Sequence, residues 1–222
     1  MIETLDELAT WTPFLLGGFA MNILISLTAM LVGTLLGCGV ALLRLAQSRA
    51  GQRIALIATE LTRNTPTFVF QFYLAFMLPT EVRLPLTEVI VGVPPWIKAS
   101  LALALAVIGF CSDNLTPALK GLRRGDPGAA LLFIPSWTSY ALIIVMASST
   151  ASVIGVSELV SRCNTVVNAT GKPGLLLPIY LYACVVFVGF CYPLTRLMQR
   201  IKTRMASRLR AATASPSAQE PA

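Results

Sequence analysis

Histidine is missing from this sequence altogether, and charge is scarce, with Asp, Glu, Lys and Arg making up only 12% of 222 residues. The first absence removes the commonest general base and the commonest metal ligand. The five cysteines, Cys38, Cys111, Cys163, Cys184 and Cys191, show no paired metal spacing, and four lie in apolar runs where a thiol acts as a small hydrophobe. No nucleophile paired with a base is visible. The chain is therefore expected to carry no metal and no cofactor, and not to be an enzyme.

What is present is apolar. A hydrophobic fraction of 55% and a mean hydropathy of +0.74 describe an integral membrane protein, and 222 residues leave no room for a soluble domain between the spans. The net charge of +7 sits mainly at span ends, where membrane lipid and topology account for it, so nucleic acid is not an expected partner. The N-terminal MIETLDELATW is acidic where a signal peptide is basic, and no cleaved segment is expected.

Hydropathy divides the chain into an external N-terminal segment over 1–12, a membrane domain over 13–195 and a basic cytoplasmic tail over 196–222, whose last residues, AATASPSAQEPA, are expected to be disordered. Thr4 and Glu7 have capping-box spacing, and Leu5, Leu8 and Trp11 share a helical face, which suits a short interfacial helix as well as a frayed end. Five spans are expected, over Trp11–Leu43, Ile54–Pro79, Ala99–Leu119, Leu131–Gly155 and Gly174–Thr195. Twelve Lys and Arg then fall on one side and four in the loops of the other, which places the N-terminus outside and the C-terminus inside. The fold class is an all-α membrane protein.

Charges inside the spans are costly and point to function or pairing. Glu60 and Arg63 lie three residues apart, so they can pair on one helix or serve a transport path, and Pro66 loosens the backbone beside them. Asp113 either snorkels toward Lys120 or Arg123 or contacts a solute. Ser148, Ser149, Thr150 and Ser152 either bond back to the preceding turn or line a polar path. The most charged internal segment, LKGLRRGDPGAALLFIP over Leu119–Pro135, carries Lys120, Arg123, Arg124 and Asp126 and is expected on the cytoplasmic side.

The segments GGFAMNILISLTAMLVGTLLGCGVALLRL, ELTRNTPTFVFQFYLAF, KGLRRGDPGAA and ASVIGVSELV together resemble the permease subunits of polar amino acid importers of the ATP-binding cassette (ABC) class, with the likeness running from Gly17 to about Thr195. Arg63-Asn64-Thr65-Pro66 stands where that family has Arg-Gly-Thr-Pro, and Ser152 to Val156 with Glu158-Leu159 matches its segment after the fourth span. The resemblance implies a type I importer permease: a five-span core, a second permease subunit, a separate ATPase below and an extracytoplasmic solute-binding protein above. It also implies a Glu-Ala-Ala motif and a short coupling helix between the third and fourth spans.

The sequence departs from the family there. Gly125, Ala129 and Ala130 match the motif, but Gly128 replaces its Glu, Pro127 precedes it, and the fourth span follows almost at once, leaving Arg123, Arg124, Gly125, Asp126, Gly128, Ala129 and Ala130 as the candidate ATPase-coupling loop. Asp113 stands for the family's Glu, Thr116 for an Arg and Met146 for a Lys. The candidate substrate path is Glu60, Arg63, Asp113, Ser148, Ser149 and Thr150. Two functions follow: a permease half that imports a polar amino acid or similar small solute across a bacterial inner membrane, most naturally as a heterodimer, or a non-transporting, regulatory membrane paralogue that has lost ATPase coupling.

Overall fold

A computed structural model describes residues 2–83, 90–126 and 128–213. The order is α1 (Ile2–Arg44), α2 (Arg49–Asn64), α3 (Thr67–Met77), β1 (Glu81–Arg83), β2 (Ile90–Gly92), α4 (Pro95–Arg123), α5 (Gly128–Ala147), α6 (Leu159–Thr170) and α7 (Leu176–Thr213), with short 3-10 segments at Ser148–Ile154 and Pro173–Leu175. The two strands form a small antiparallel hairpin, Glu81 opposite Gly92, in the loop that carries Glu88; Glu88 itself lies outside the described residues.

Among the described residues, four helical segments are long and apolar enough to cross a membrane: Asp6–Arg44, Pro95–Arg123, Ala130–Ile154 and Pro173–Ser207. The stretch expected as one span over Ile54–Pro79 is instead two helices. Thr65 is extended (φ −89°, ψ 130°), as a residue before proline prefers, so α2 stops at Asn64 and Pro66 opens α3. With 11 residues, α3 spans only about 17 Å. The hydroxyl of Ser48 caps the other end of α2 by accepting from the amide of Gly51 at 3.3 Å.

The two ends of the chain also differ from the sequence reading. α1 passes through residues 2–12 without interruption, and Glu7 forms an ion pair with Lys172 in the α6–α7 connection. α7 continues through the basic stretch to Thr213, so Ala211–Thr213 are helical, while residues 214–222 lie outside the described residues.

α4 is the centre of the packing. Its Ala99, Leu103, Ala104, Val107 and Cys111 are buried against Ile25, Ala29 and Met30 of α1 and Ile144 of α5. Where lipid offers no hydrophobic drive between helices, close backbone approach through small residues takes over. Gly33 and Gly37, four apart on α1, supply it: a Cβ at Gly33 would stand 2.5 Å from the Val107 Cβ, and one at Gly37 would stand 2.6 Å from the Cys111 Cβ. A second cluster joins Leu15 of α1 to Leu159, Cys163 and Val166 of α6 and Ile179 of α7. Leu27, Leu31 and Leu35 face outward along α1, with 63%, 63% and 66% of their surface exposed, as a lipid-facing stripe requires.

Candidate functional site

Polar side chains gather at three places. At the first, Asp113 of α4 is held from two sides: its Oδ1 accepts from Arg44 Nη1 at the end of α1, and its Oδ2 accepts from Arg63 Nη1 at the end of α2, both at 2.8 Å. Arg63 also meets Glu60 at 3.4 Å, and Asn64 Nδ2 donates to the same Glu60 oxygen at 2.8 Å. Arg44 reaches the hydroxyl of Ser112 at 3.3 Å, and Ser112 shares a 2.8 Å hydrogen bond with Thr59 of α2. One carboxylate thereby ties three helices.

This answers two questions the sequence left open. Glu60 and Arg63 do pair within α2, but Arg63 makes its shorter contact across the helix interface. Asp113 does not snorkel toward Lys120 or Arg123; both of its carboxylate oxygens are taken up by Arg44 and Arg63, which converge on it from α1 and α2. Gly109, one turn earlier, allows that approach, since a Cβ there would lie 2.8 Å from Thr62 Oγ1 and 3.0 Å from the Arg63 backbone nitrogen.

The second cluster surrounds Asn22, 22 residues and about 33 Å along α1 from Arg44. Asn22 Nδ2 donates to Ser148 Oγ at 2.9 Å and to Glu158 Oε2 at 3.0 Å, while its Oδ1 accepts from the Leu159 amide at 3.1 Å. Glu158 is fully buried and caps α6, accepting from the amides of Val160 and Ser161. Burial pushes its carboxyl above the usual carboxylate range, and the donors from Asn22, Ser161 and Val160 oppose that rise.

The third cluster joins α3 to the segment after α5. Thr150 Oγ1 donates to Gln71 Oε1 at 2.7 Å, and Gln71 is fully buried. Among the described residues its Nε2 is a buried donor with no hydrogen-bond partner. Nearby, Lys98 is buried and donates to the carbonyls of Ala75 and Leu78, which α3 leaves open at its C-terminus.

The candidate path residues thus fall into separate groups. Glu60, Arg63 and Asp113 come together; Ser148 joins Asn22; Thr150 joins Gln71; and Ser149 is half-buried, its hydroxyl bonded back to Met146 O at 2.8 Å. Ser148, Thr150 and Ser152 make the same return bond three residues back. Sequence reasoning missed Asn22, Arg44, Gln71 and the buried state of Lys98 and Glu158. Asn22 and Gln71 each carry a signal, an amide inside an uncharged apolar run, where an unpartnered polar group is costly.

The candidate coupling loop is a tight reverse turn. Gly125 adopts φ +79°, the Asp126 amide donates to Gly121 O at 3.0 Å and the Gly125 amide to Leu122 O at 3.1 Å, a Schellman closure of α4. Asp126 Oδ1 then accepts from the Gly128 amide at 2.9 Å, and α5 starts there, running through Ala129 and Ala130 and past Pro135 into the membrane segment. Arg123 ends α4, and Arg124 is exposed in the turn. Among the described residues no separate helix lies between α4 and α5; Pro127 is outside them.

The chain is 23% identical over 211 residues to the nopaline transport system permease protein NocM of Agrobacterium fabrum, which covers 84% of this chain and 85% of that protein. It is 23% identical over 184 residues to the glutamate/aspartate import permease protein GltJ of Escherichia coli, across 72% and 75% of the two chains. It is 20% identical over 213 residues to the probable glutamine ABC transporter permease protein GlnP of Bacillus subtilis, across 86% and 93%. The chain is a homologue of amino acid ABC transporter permeases. A solved amino acid ABC transporter with histidines has the same fold, with a TM-score of 0.74 at 16% identity over 89% of this chain and 96% of that one. No family model matches the sequence. Against this permease background the tight α4–α5 turn is a departure, because the resemblance leads one to expect a coupling helix there.

Proposed function

We propose that this chain is one permease subunit of an ABC transporter that carries a polar amino acid or a similar small solute inward across the cytoplasmic membrane of a bacterium, powered by a separate ATPase. The observation that carries this reading is the match to amino acid permeases along most of the chain, in both sequence and fold. A solute-binding protein outside and a second permease beside it complete the assembly. The tight α4–α5 turn supports a heterodimer in which the other permease makes most of the ATPase contact, with this chain adding Arg123, Arg124 and the turn.

Vesicles holding this chain, the ATPase, a second permease and the binding protein are expected to take up a labelled amino acid only with ATP; nopaline, glutamate, aspartate and glutamine form the first panel. Leaving out the second permease should abolish coupled uptake, and leaving out this chain should do the same. Uptake that persists without this chain would instead favour a regulatory subunit. Full coupling by this chain and the ATPase alone would refute the heterodimer.

The same proposal places the N-terminus outside and the C-terminus inside, with α2 and α3 together forming a broken fifth crossing. The twelve-to-four asymmetry of Lys and Arg supports it. In a background with the five native cysteines replaced, an impermeant thiol reagent is expected to reach Arg162→Cys from outside and Arg123→Cys only after the membrane is opened. Labelling of both from one side would reverse this assignment.

A further inference from the structure

We propose that the end of α7 beyond Pro193 is an interfacial helix that docks on the anionic phospholipid of the leaflet from which it emerges. Three observations converge on this. The first is the pattern: Leu197, Met198, Ile201 and Met205 share one helical face, while Arg196, Arg200, Lys202 and Arg204 occupy the rest and are exposed. A continuous helix with an apolar stripe and a basic remainder is the arrangement that lies in a bilayer interface, its stripe in the acyl boundary and its cations on the phosphates. Among the described residues, none of the four apolar side chains belongs to a buried cluster of the protein.

The second is the hinge. Pro193 lies inside α7 and cannot donate to the carbonyl of Gly189, which weakens the helix ladder between the apolar run and the basic stretch. A straight continuation would carry the last basic residues further from the lipid than the screening length of about 8 Å allows for attraction. A bend at Pro193 brings the whole basic face to the surface. The third is an open recess of about 520 Å³ beside Pro193, lined by Tyr192, Pro193, Arg196, Leu197 and Arg200. The Arg196 guanidinium lies 5.1 Å from the Tyr192 ring centroid, so an aromatic belt residue and a phosphate-binding cation stand side by side. Anionic phospholipid fits all three: it is negative, it supplies an apolar layer for the stripe, and the preceding membrane segment tethers the helix against it.

The test uses the full chain, with native cysteines replaced and a nitroxide at Ile201→Cys or, on the polar face, Gln199→Cys. In vesicles containing anionic phospholipid, the Ile201 label should be several-fold less accessible to a water-soluble relaxant than the Gln199 label, and the difference should shrink in neutral vesicles and at high salt. Neutralising Arg196, Arg200, Lys202 and Arg204 to Gln should weaken docking by about fivefold per residue, since each basic side chain near an anionic surface contributes to that extent. Equal accessibility of the two labels in anionic vesicles would overturn the proposal. So would protection of Ile201 that tracks protein concentration, because that outcome assigns the stripe to a second copy.

Discussion

Replacing Asp113 by Ala is expected to cause one of the largest losses of any single substitution in this chain. The carboxylate is the shared partner of Arg44 and Arg63, and side-chain exposures of 19% for Arg44 and 27% for Asp113 keep that contact largely from solvent. Arg63 would retain Glu60, but among the described residues Arg44 would be left with only the Ser112 hydroxyl. Arg44 ends α1, where snorkelling relieves part of the cost an unpaired charge carries at a helix centre, so the expected destabilisation is that of a partly buried group left unpaired, about 1–3 kcal/mol. Asp113→Ala should therefore lower the thermal midpoint of the purified protein and its folded yield. The double variant Arg44→Gln, Asp113→Asn should be milder than Asp113→Asn alone, because it removes the orphaned cation with its partner. An Asp113→Ala protein as stable as the native chain would show that the three-helix tie holds nothing. If the double variant folds and its assembled transporter still takes up solute at the native rate, Asp113 leaves the substrate path.

An effect of similar size is expected from the α1–α4 contact. At Gly33 even an alanine must displace the Val107 Cβ, 2.5 Å away, or the Ala104 carbonyl, 2.7 Å away, and the second is backbone of the central helix. Overpacking of this kind costs about 1–3 kcal/mol, and Gly33→Leu, with three further carbons and no space, should exceed that range. Gly39, on the same helix, has nothing within 4 Å of its Cβ position. Gly39→Ala is then a control for helix propensity and should be neutral or slightly stabilising, by at most about 1 kcal/mol. The expected order of stability, read as thermal midpoints in one detergent, is Gly39→Ala, then Gly33→Ala, then Gly33→Leu. Equal midpoints for the two alanine variants would refute the close-approach account.

Both expectations concern contacts between helices, and that is where sequence and structure part. Hydropathy is a local sum: it led to five expected spans, and among the described residues four helical segments long and apolar enough to cross a membrane lie over four of those apolar runs. Proline chemistry is local too: Pro66 carried the warning that the second run is interrupted, although it ends α2 where loosening alone was expected. The short α4–α5 connection was equally legible, because Gly125, Gly128 and the nearness of Pro135 leave few residues for anything but a turn.

The partners of the polar side chains were not legible. Helical spacing puts Glu60 within reach of Arg63 but cannot say that α1 and α2 bring Arg44 and Arg63 onto the same face of α4, leaving Lys120 and Arg123 out of the pairing. Nor can it say that Asn22, 136 positions before Glu158, fills the gap between Ser148 and the start of α6. The sequence by itself determined which stretches leave water, where they break and how tightly they turn, since each of these follows from a residue and its immediate neighbours. The tertiary structure alone decided which buried charges and amides meet, because that depends on the rotation and depth of each helix against the others, fixed by side-chain packing across Gly33, Gly37 and Gly109 and encoded in no single helix.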